Sequence, residues 1–140
     1  MSQSRIRKIL ETRLAAWAAA LAPPLPVLWE NVRVAVEPVS PHLRAYVLPA
    51  TTLSPYLAGE ARTFIGIFQV SIFTLAGAGP KRGEEIAAAL DALFPCNDSF
   101  TDVGGLSVQV MTPVSASPAM QDDDFSMVAA SFRYQCQTTV

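Results

Sequence analysis

Charged side chains are scarce in this chain of 140 residues. They make up 16% of it, against roughly 25% in an ordinary soluble domain, whereas hydrophobic residues reach 51%. With a mean hydropathy of +0.31 the chain is not disordered, and the low charge indicates surface that partners cover. Ten Lys and Arg against twelve Asp and Glu give a net charge of −2, without the basic excess that phosphate neutralisation requires. Direct nucleic-acid binding is therefore not expected.

The sequence is also poor in residues that build catalytic or metal sites. It has one histidine, His42, and two cysteines, Cys96 and Cys136, which follow no metal-ligand spacing. We expect both thiols to be reduced and His42 to be an ordinary loop residue, because no serine or cysteine arrangement around it predicts a relay. The sequence thus predicts no enzyme, no cofactor and no metal site.

Long apolar runs that could form a membrane-spanning helix are missing as well. The uncharged runs Thr63 to Pro80 and Val103 to Gln121 are interrupted by polar residues or by prolines. The basic N-terminus and the alanine-rich stretch after it imitate a signal peptide, but Glu11 and Arg13 lie where an apolar core would begin. We expect an amphipathic helix there and no membrane partner.

Three weak motifs are better explained as ordinary structure. Gly77, Gly79 and Gly83 do not have the spacing of either glycine-rich phosphate-binding signature. The acidic run from Asp122 to Asp124 lacks the spacing of a calcium loop and is interpreted as a solvated turn. Asn97 to Ser99 matches a glycosylation acceptor but is interpreted as a turn after the preceding helix.

Apolar periodicity predicts a single α+β domain over residues 1–140 in the order α-β-β-α-β-β. The elements are a helix from Ser4 to Leu21, strands Leu43 to Pro49 and Arg62 to Leu75, a helix from Pro80 to Phe94, and strands Leu106 to Thr112 and Phe125 to Cys136. Because no regular βαβ alternation occurs, we expect a mainly antiparallel sheet with the helices packed on one face.

Two elements carry finer expectations. In the second helix Ile86, Leu90 and Leu93 share one apolar stripe, which should pack on the long strand. Gly66, inside that strand, is a candidate bulge. The first helix has a basic face with Arg5, Arg7, Lys8 and Arg13. This face is either solvated or in contact with an acidic protein or a phosphate backbone, and a solvated face is the commoner case.

Several stretches taken together resemble a known family. They are Trp29 to Val32, the strand Leu43 to Ala50, the segment Gly66 to Phe73, the glycines Gly77 and Gly79, and the helix end Leu93 to Pro95. This combination resembles the phage tail terminator-like family, the minor tail protein U group of lambda-type siphophages and its prophage relatives. The resemblance covers nearly the whole chain, and its motifs are structural rather than catalytic.

The resemblance implies an α+β subunit that forms a hexameric ring on the tail tube, stops tube growth and offers its other face to the head–tail connector protein. It implies three partners: other copies of the chain, the tail tube protein and the connector protein. It also implies assembly in the bacterial cytoplasm and a final place in the virion tail.

The loop from Ala50 to Ala61 is the candidate contact surface, and the alternative is an ordinary mobile connection between two strands. Leu53, Tyr56 and Leu57 stand there among small polar residues, and a few such anchors usually carry most of the energy of an interface. The alternative function is a small-molecule-binding α+β domain that uses the apolar face of the sheet as a pocket. Such a domain could be a dimer.

Overall fold

The structure is a computed structural model, and it describes residues 2–21, 24–32, 41–50, 52, 61–77, 80–122 and 125–139. This part of the chain contains two helices and eight strands. The helices are α1 (Ser2–Ala19) and α2 (Lys81–Leu93). The strands are β1 (Val27–Trp29), β2 (His42–Pro49), β3 (Ala61–Leu75), β4 (Ser99–Thr101), β5 (Ser107–Val110), β6 (Ser115–Ala116), β7 (Met120–Asp122) and β8 (Phe125–Thr139).

One sheet joins all eight strands, with β1-β2-β3-β8-β5-β4 as its main order and β6 and β7 also paired with β8. Every pairing is antiparallel except that of β1 with β2, which is parallel. The long strands β3 and β8 run side by side over their full lengths and form the centre. The expected α+β class with a mainly antiparallel sheet is confirmed.

The expected element order is only partly right, because four short strands were not predicted. These strands, β1, β4, β6 and β7, contain two or three residues each. Alternation of apolar and polar residues cannot be recognised over so few positions, and such strands form because a longer neighbour offers them hydrogen bonds. The predicted helices and longer strands agree with the observed ones to within a few residues.

One face of the sheet is apolar and both helices pack against it. On β3 this face presents Phe68, Val70 and Ile72, and Phe68 lies opposite Phe132 of β8. Leu10 of α1 and Leu90 of α2 belong to the same buried cluster, so the two helices share one core with this face. In α2 the stripe is buried at Ile86 and Leu90, as expected, whereas Leu93 is half-buried.

Gly66 does not mark a bulge, which corrects the sequence-based expectation. It pairs in regular register with Pro49 of β2 and Tyr134 of β8. A Cβ atom at Gly66 would lie 2.5 Å from the Tyr134 hydroxyl and 2.7 Å from the Leu48 carbonyl oxygen. The position requires glycine because the ring of Tyr134 occupies the space of a side chain.

His42 is not a loop residue either. It is the first residue of β2 and is 3% exposed. Its ring stacks on Phe73 at 4.7 Å between centroids and meets Phe125 edge-on at 5.0 Å. The ring of His42 therefore packs between aromatic side chains on the second face of the sheet. This role was not expected of a polar residue.

Candidate interaction surfaces

Leu53, Tyr56 and Leu57, the contact residues expected from the sequence, lie outside the described residues. They stay a prediction. Among the described residues the features suited to binding are two grooves beside α1, and arginine side chains of that helix shape both of them.

The larger cavity, called the α1 groove here, is an open cleft of about 1100 Å³. Its walls are α1 from Arg5 to Trp17 and the chain from Phe100 to Gly104, which contains the turn between β4 and β5, and Leu93 at the end of α2 also lines it. Most of the exposed lining is apolar, and Val103 projects fully into solvent at the edge.

Arg5 and Asp102 join the two walls of the α1 groove. The Arg5 guanidinium donates two hydrogen bonds of 2.9 Å, from Nε to Oδ2 and from Nη2 to Oδ1 of Asp102. Asp102 Oδ1 also accepts from the backbone N–H groups of Gly104 and Leu106 and so fixes the turn. The hydrogen bonds from Arg5 hold the pKa of the Asp102 carboxyl below its usual range.

Arg13 forms the inner end of the same groove. Its Nε donates to the carbonyl oxygen of Leu93 at 2.8 Å, so it satisfies one of the free carbonyls at the end of α2. Its guanidinium also lies 4.1 Å from the centroid of the Phe100 ring, a cation–π contact. Phe100 in turn meets Phe94 edge-on at 5.9 Å, and this connects the groove to the aromatic core.

Lys8 differs from these arginines. It is exposed at the groove, and it has no hydrogen bond or ion pair with any described residue. Three cationic side chains (Arg5, Lys8 and Arg13) and one carboxylate (Asp102) line the groove, which leaves it a net charge of +2 in a chain whose net charge is −2. The arrangement suits an occupant with carboxylates and small apolar groups.

The smaller cavity, called the edge groove here, lies at the end of β1 and has a volume of about 580 Å³. Arg7 Nη1 bridges Glu11 at 3.2 Å and Glu30 at 2.9 Å. Glu30 Oε1 also accepts from the Val47 backbone N–H at 2.6 Å. Because one arginine is shared by two carboxylates, the edge groove has a net charge of −1, smaller in magnitude than that of the α1 groove, and it offers less to a charged partner.

The basic face of the first helix, predicted as a solvated or partner-binding surface, therefore serves mainly to hold the subunit together. Arg5, Arg7 and Arg13 each reach a different part of the fold, and of the four only Lys8 has no hydrogen bond or ion pair with a described residue. Sequence reasoning missed this role because the partners outside α1 are distant in the chain. Arg5 and Asp102, for example, are 97 positions apart.

No catalytic or metal-binding arrangement of side chains is evident in the described ranges. No group of three or more His, Cys, Asp or Glu side chains there could hold a metal ion. Cys96 is an exposed free thiol and Cys136 a buried one. Within the same ranges, neither helix is both long enough and apolar enough to cross a bilayer.

Comparison with known proteins found one family model and a similar solved structure. The family model described as "Phage tail terminator protein" matches residues 5–134. One solved structure without a functional name is 41% identical in sequence, with a TM-score of 0.84, and the match covers 100% of this chain and 99% of that one. No curated protein matches the sequence.

Proposed function

The chain belongs to the phage tail terminator protein family, and from this premise we propose that it caps the tail tube as a ring, ends its polymerisation and supports head–tail joining. The observation that carries the proposal is the family match over residues 5–134. A tube of identical stacked rings has an end that accepts another ring. Growth therefore stops only when a subunit matches the tube on one side and refuses the next tube ring on the other.

The surface of the subunit supports assembly into a ring. Val32, Val103 and Met120 are large apolar residues with more than half of their surface exposed. Exposed apolar area is what contacts between subunits remove from water, so these three side chains are candidates for such contacts. A closed ring joins two different patches of each subunit, and repetition of that contact around the ring hides apolar area on every copy.

The proposed partners are other copies of the chain, most simply in a hexamer, the tail tube protein and the head–tail connector protein. The chain would act as a single domain of residues 1–140, assemble in the bacterial cytoplasm and remain in the virion tail. It would need neither a cofactor nor direct contact with DNA.

Deletion of the gene from its phage tests the proposal. We expect intact heads and baseplates, but tails of uncontrolled length that fail to join heads, when lysates are viewed by electron microscopy. Supplying the wild-type chain from a plasmid should restore normal tails. Tails of normal length joined to filled heads in the deletion lysate would refute the terminator role.

The loop residues Leu53, Tyr56 and Leu57 remain proposed contacts for the ring or the tube. The double substitution Tyr56→Asp with Leu57→Asp should keep the folded monomer, as judged by circular dichroism, and should remove ring closure or tube capping. Normal tails in a lysate that carries only this variant would show that the two residues are not the contact.

The alternative function, a small-molecule-binding domain, needs a different site from the one expected. The apolar face of the sheet is covered by α1 and α2 and filled by the core. The α1 groove is the feature that favours this alternative, because it combines apolar lining with converging polar groups. A light-scattering mass fixed at that of a dimer over a hundredfold dilution would favour this function over the ring.

A further inference from the structure

The α1 groove and the exposed side of α2 are complementary in charge. The groove has a net charge of +2, which comes from Lys8 and Arg13, and Lys8 is the one of the two without a hydrogen bond or ring contact to a described residue. On α2, Glu84, Ala88 and Asp91 are exposed and follow the spacing i, i+4, i+7, so they form one stripe. The Glu84 carboxylate has no ion pair with a described residue.

The basic residues of α2 do not cancel this charge. Arg82 is exposed, but it is two positions before Glu84 and so projects to a different side of the helix. Lys81 lies on the same side, but it pairs with Glu85 at 3.8 Å, which leaves the two carboxylates of the stripe uncompensated. The Asp91 carboxylate accepts one hydrogen bond, from the Val114 backbone N–H at 3.2 Å, and its position on the surface is thereby fixed. Ala88 and the neighbouring Ala92 are small and exposed, so a partner can approach the helix closely.

We propose that the α1 groove of one copy receives the acidic stripe of α2 from the next copy, and that this contact joins neighbours in the ring. The inference rests on the proposed function, because it specifies the contact that a ring requires. The groove and the stripe are different patches of one chain. A contact between them is therefore heterologous, the type that closes a ring when the rotation per subunit divides a full turn.

Other described surfaces fit the groove less well. The second face of the sheet presents the exposed Arg133, whose charge has the same sign as that of the groove. Asp98 is exposed, but it caps its own turn by accepting from the Ser99 backbone N–H at 3.0 Å. The α2 stripe alone among these combines two carboxylates with small apolar residues.

Charge reversal on each side of the contact tests the proposal. The variants are Lys8→Glu in the groove and Glu84→Lys in the stripe. Both positions are exposed, so the fold should be retained, although Glu84→Lys replaces a favourable charge in the first turn of α2. Association of each variant with itself, measured by sedimentation velocity over a hundredfold dilution, should be about tenfold weaker than that of wild type, because a favourable rim pair becomes a repulsive one. Arg133→Glu is the matched control for Lys8→Glu: it makes the same change in net charge away from the groove and should associate like wild type.

Mixing the two variants gives the sharpest result. In an equimolar mixture, a Lys8→Glu groove meets a Glu84→Lys stripe with opposite charges, and the remaining groove and stripe are both wild type. Association should therefore return in the mixture, and a ring with an even number of subunits can close by alternating the two variants. The double variant, Lys8→Glu with Glu84→Lys, should also associate with itself. Added salt should weaken wild-type association, since the paired charges are screened.

Tryptophan fluorescence provides an independent measurement of the contact. Of the two tryptophans in the chain, Trp17 lines the α1 groove and Trp29 lines the edge groove. In a Trp29→Phe variant the emission of Trp17 should shift to shorter wavelength on association, as water leaves the groove. In a Trp17→Phe variant the emission of Trp29 should stay constant. A shift confined to Trp29 would overturn the assignment of the groove.

Failure of this inference differs from failure of the proposed function. If wild type forms rings and both reversed variants form them equally well, the groove and the stripe are not the contact, while the terminator role stands. If the mass of wild type stays that of a monomer or a dimer at every concentration, the self-association proposed here is refuted. Tail length in the deletion lysate then decides the terminator role separately.

Discussion

Replacing Gly66 by alanine should destabilise the protein, because the added methyl group has no room. The new Cβ would lie 2.5 Å from the Tyr134 hydroxyl and 2.7 Å from the Leu48 carbonyl oxygen. Tyr134 is 1% exposed and cannot swing into solvent, and the Leu48 oxygen belongs to the backbone of the central sheet. Overpacking of this kind costs about 1–3 kcal/mol, which lowers the melting temperature by about 3–10 °C for a chain of this size.

Gly83→Ala is the matched control and should have the opposite sign. Gly83 is buried in α2, but a Cβ there would meet only the Cγ2 atom of Val128, at an ordinary 3.6 Å. Alanine is a better helix former than glycine, so we expect a gain of about 0.5–1 kcal/mol. Both variants are compared with wild type by urea unfolding followed by circular dichroism, at a protein concentration where all three are monomeric.

A double variant separates the two clashes at Gly66. Tyr134→Phe removes the hydroxyl but leaves the ring and the Leu48 oxygen in place, so it should recover only part of the stability that Gly66→Ala loses. If Gly66→Ala is as stable as wild type to within about 0.5 kcal/mol, the sheet yields at this point and the steric argument is wrong.

Three further predictions concern the core, the groove and the thiols. Leu90→Ala should cost about 2–5 kcal/mol in urea unfolding, since Leu90 is 1% exposed, and a loss under about 1 kcal/mol would contradict its core position. Because Arg5 lowers the pKa of Asp102, the unfolded state binds more protons below about pH 4, and the stability from this pair is lost as pH falls through the folded-state pKa. Asp102→Asn should therefore flatten the acid limb of a stability–pH profile, and an unchanged limb would refute the pairing. In native protein a thiol reagent should label Cys96 quickly and Cys136 only on unfolding, because burial raises the pKa of the Cys136 thiol; a denatured, unreduced sample without free thiols would contradict both assignments.

The fold could be predicted where a pattern extends over many residues. The helix stripe with Ile86 and Leu90 and the alternation along β3 and β8 are long enough to fix both the type of element and its buried face. The roles of Gly66 and His42 could not be predicted, because each depends on a ring contributed by another strand. A glycine in a strand indicates either a bulge or a close approach, and only the position of Tyr134 decides between them.

The candidate site was harder to predict than the fold. The α1 groove combines α1 with the turn after Phe100, two segments that lie far apart in the chain. Sequence spacing can show that Arg5 and Arg13 share a helix with Lys8, but it carries no information on which distant carboxylate or carbonyl will accept their hydrogen bonds. Apolar residues among small polar ones, such as those around Tyr56, can be recognised in the sequence, whereas a groove formed by tertiary contacts cannot.

The cations of α1 have different contacts, and this difference determines how the groove can bind a partner. Arg5 ties α1 to the β4–β5 turn and Arg13 ties it to the end of α2, so both walls are fixed before any partner arrives. A site that is already ordered loses little conformational entropy on binding, and more of its contact energy is expressed as affinity. Substituting Arg5 or Arg13 would alter the shape of the groove together with its charge. Lys8 contributes charge without holding a wall, and its reversal therefore separates recognition by the groove from the integrity of the fold.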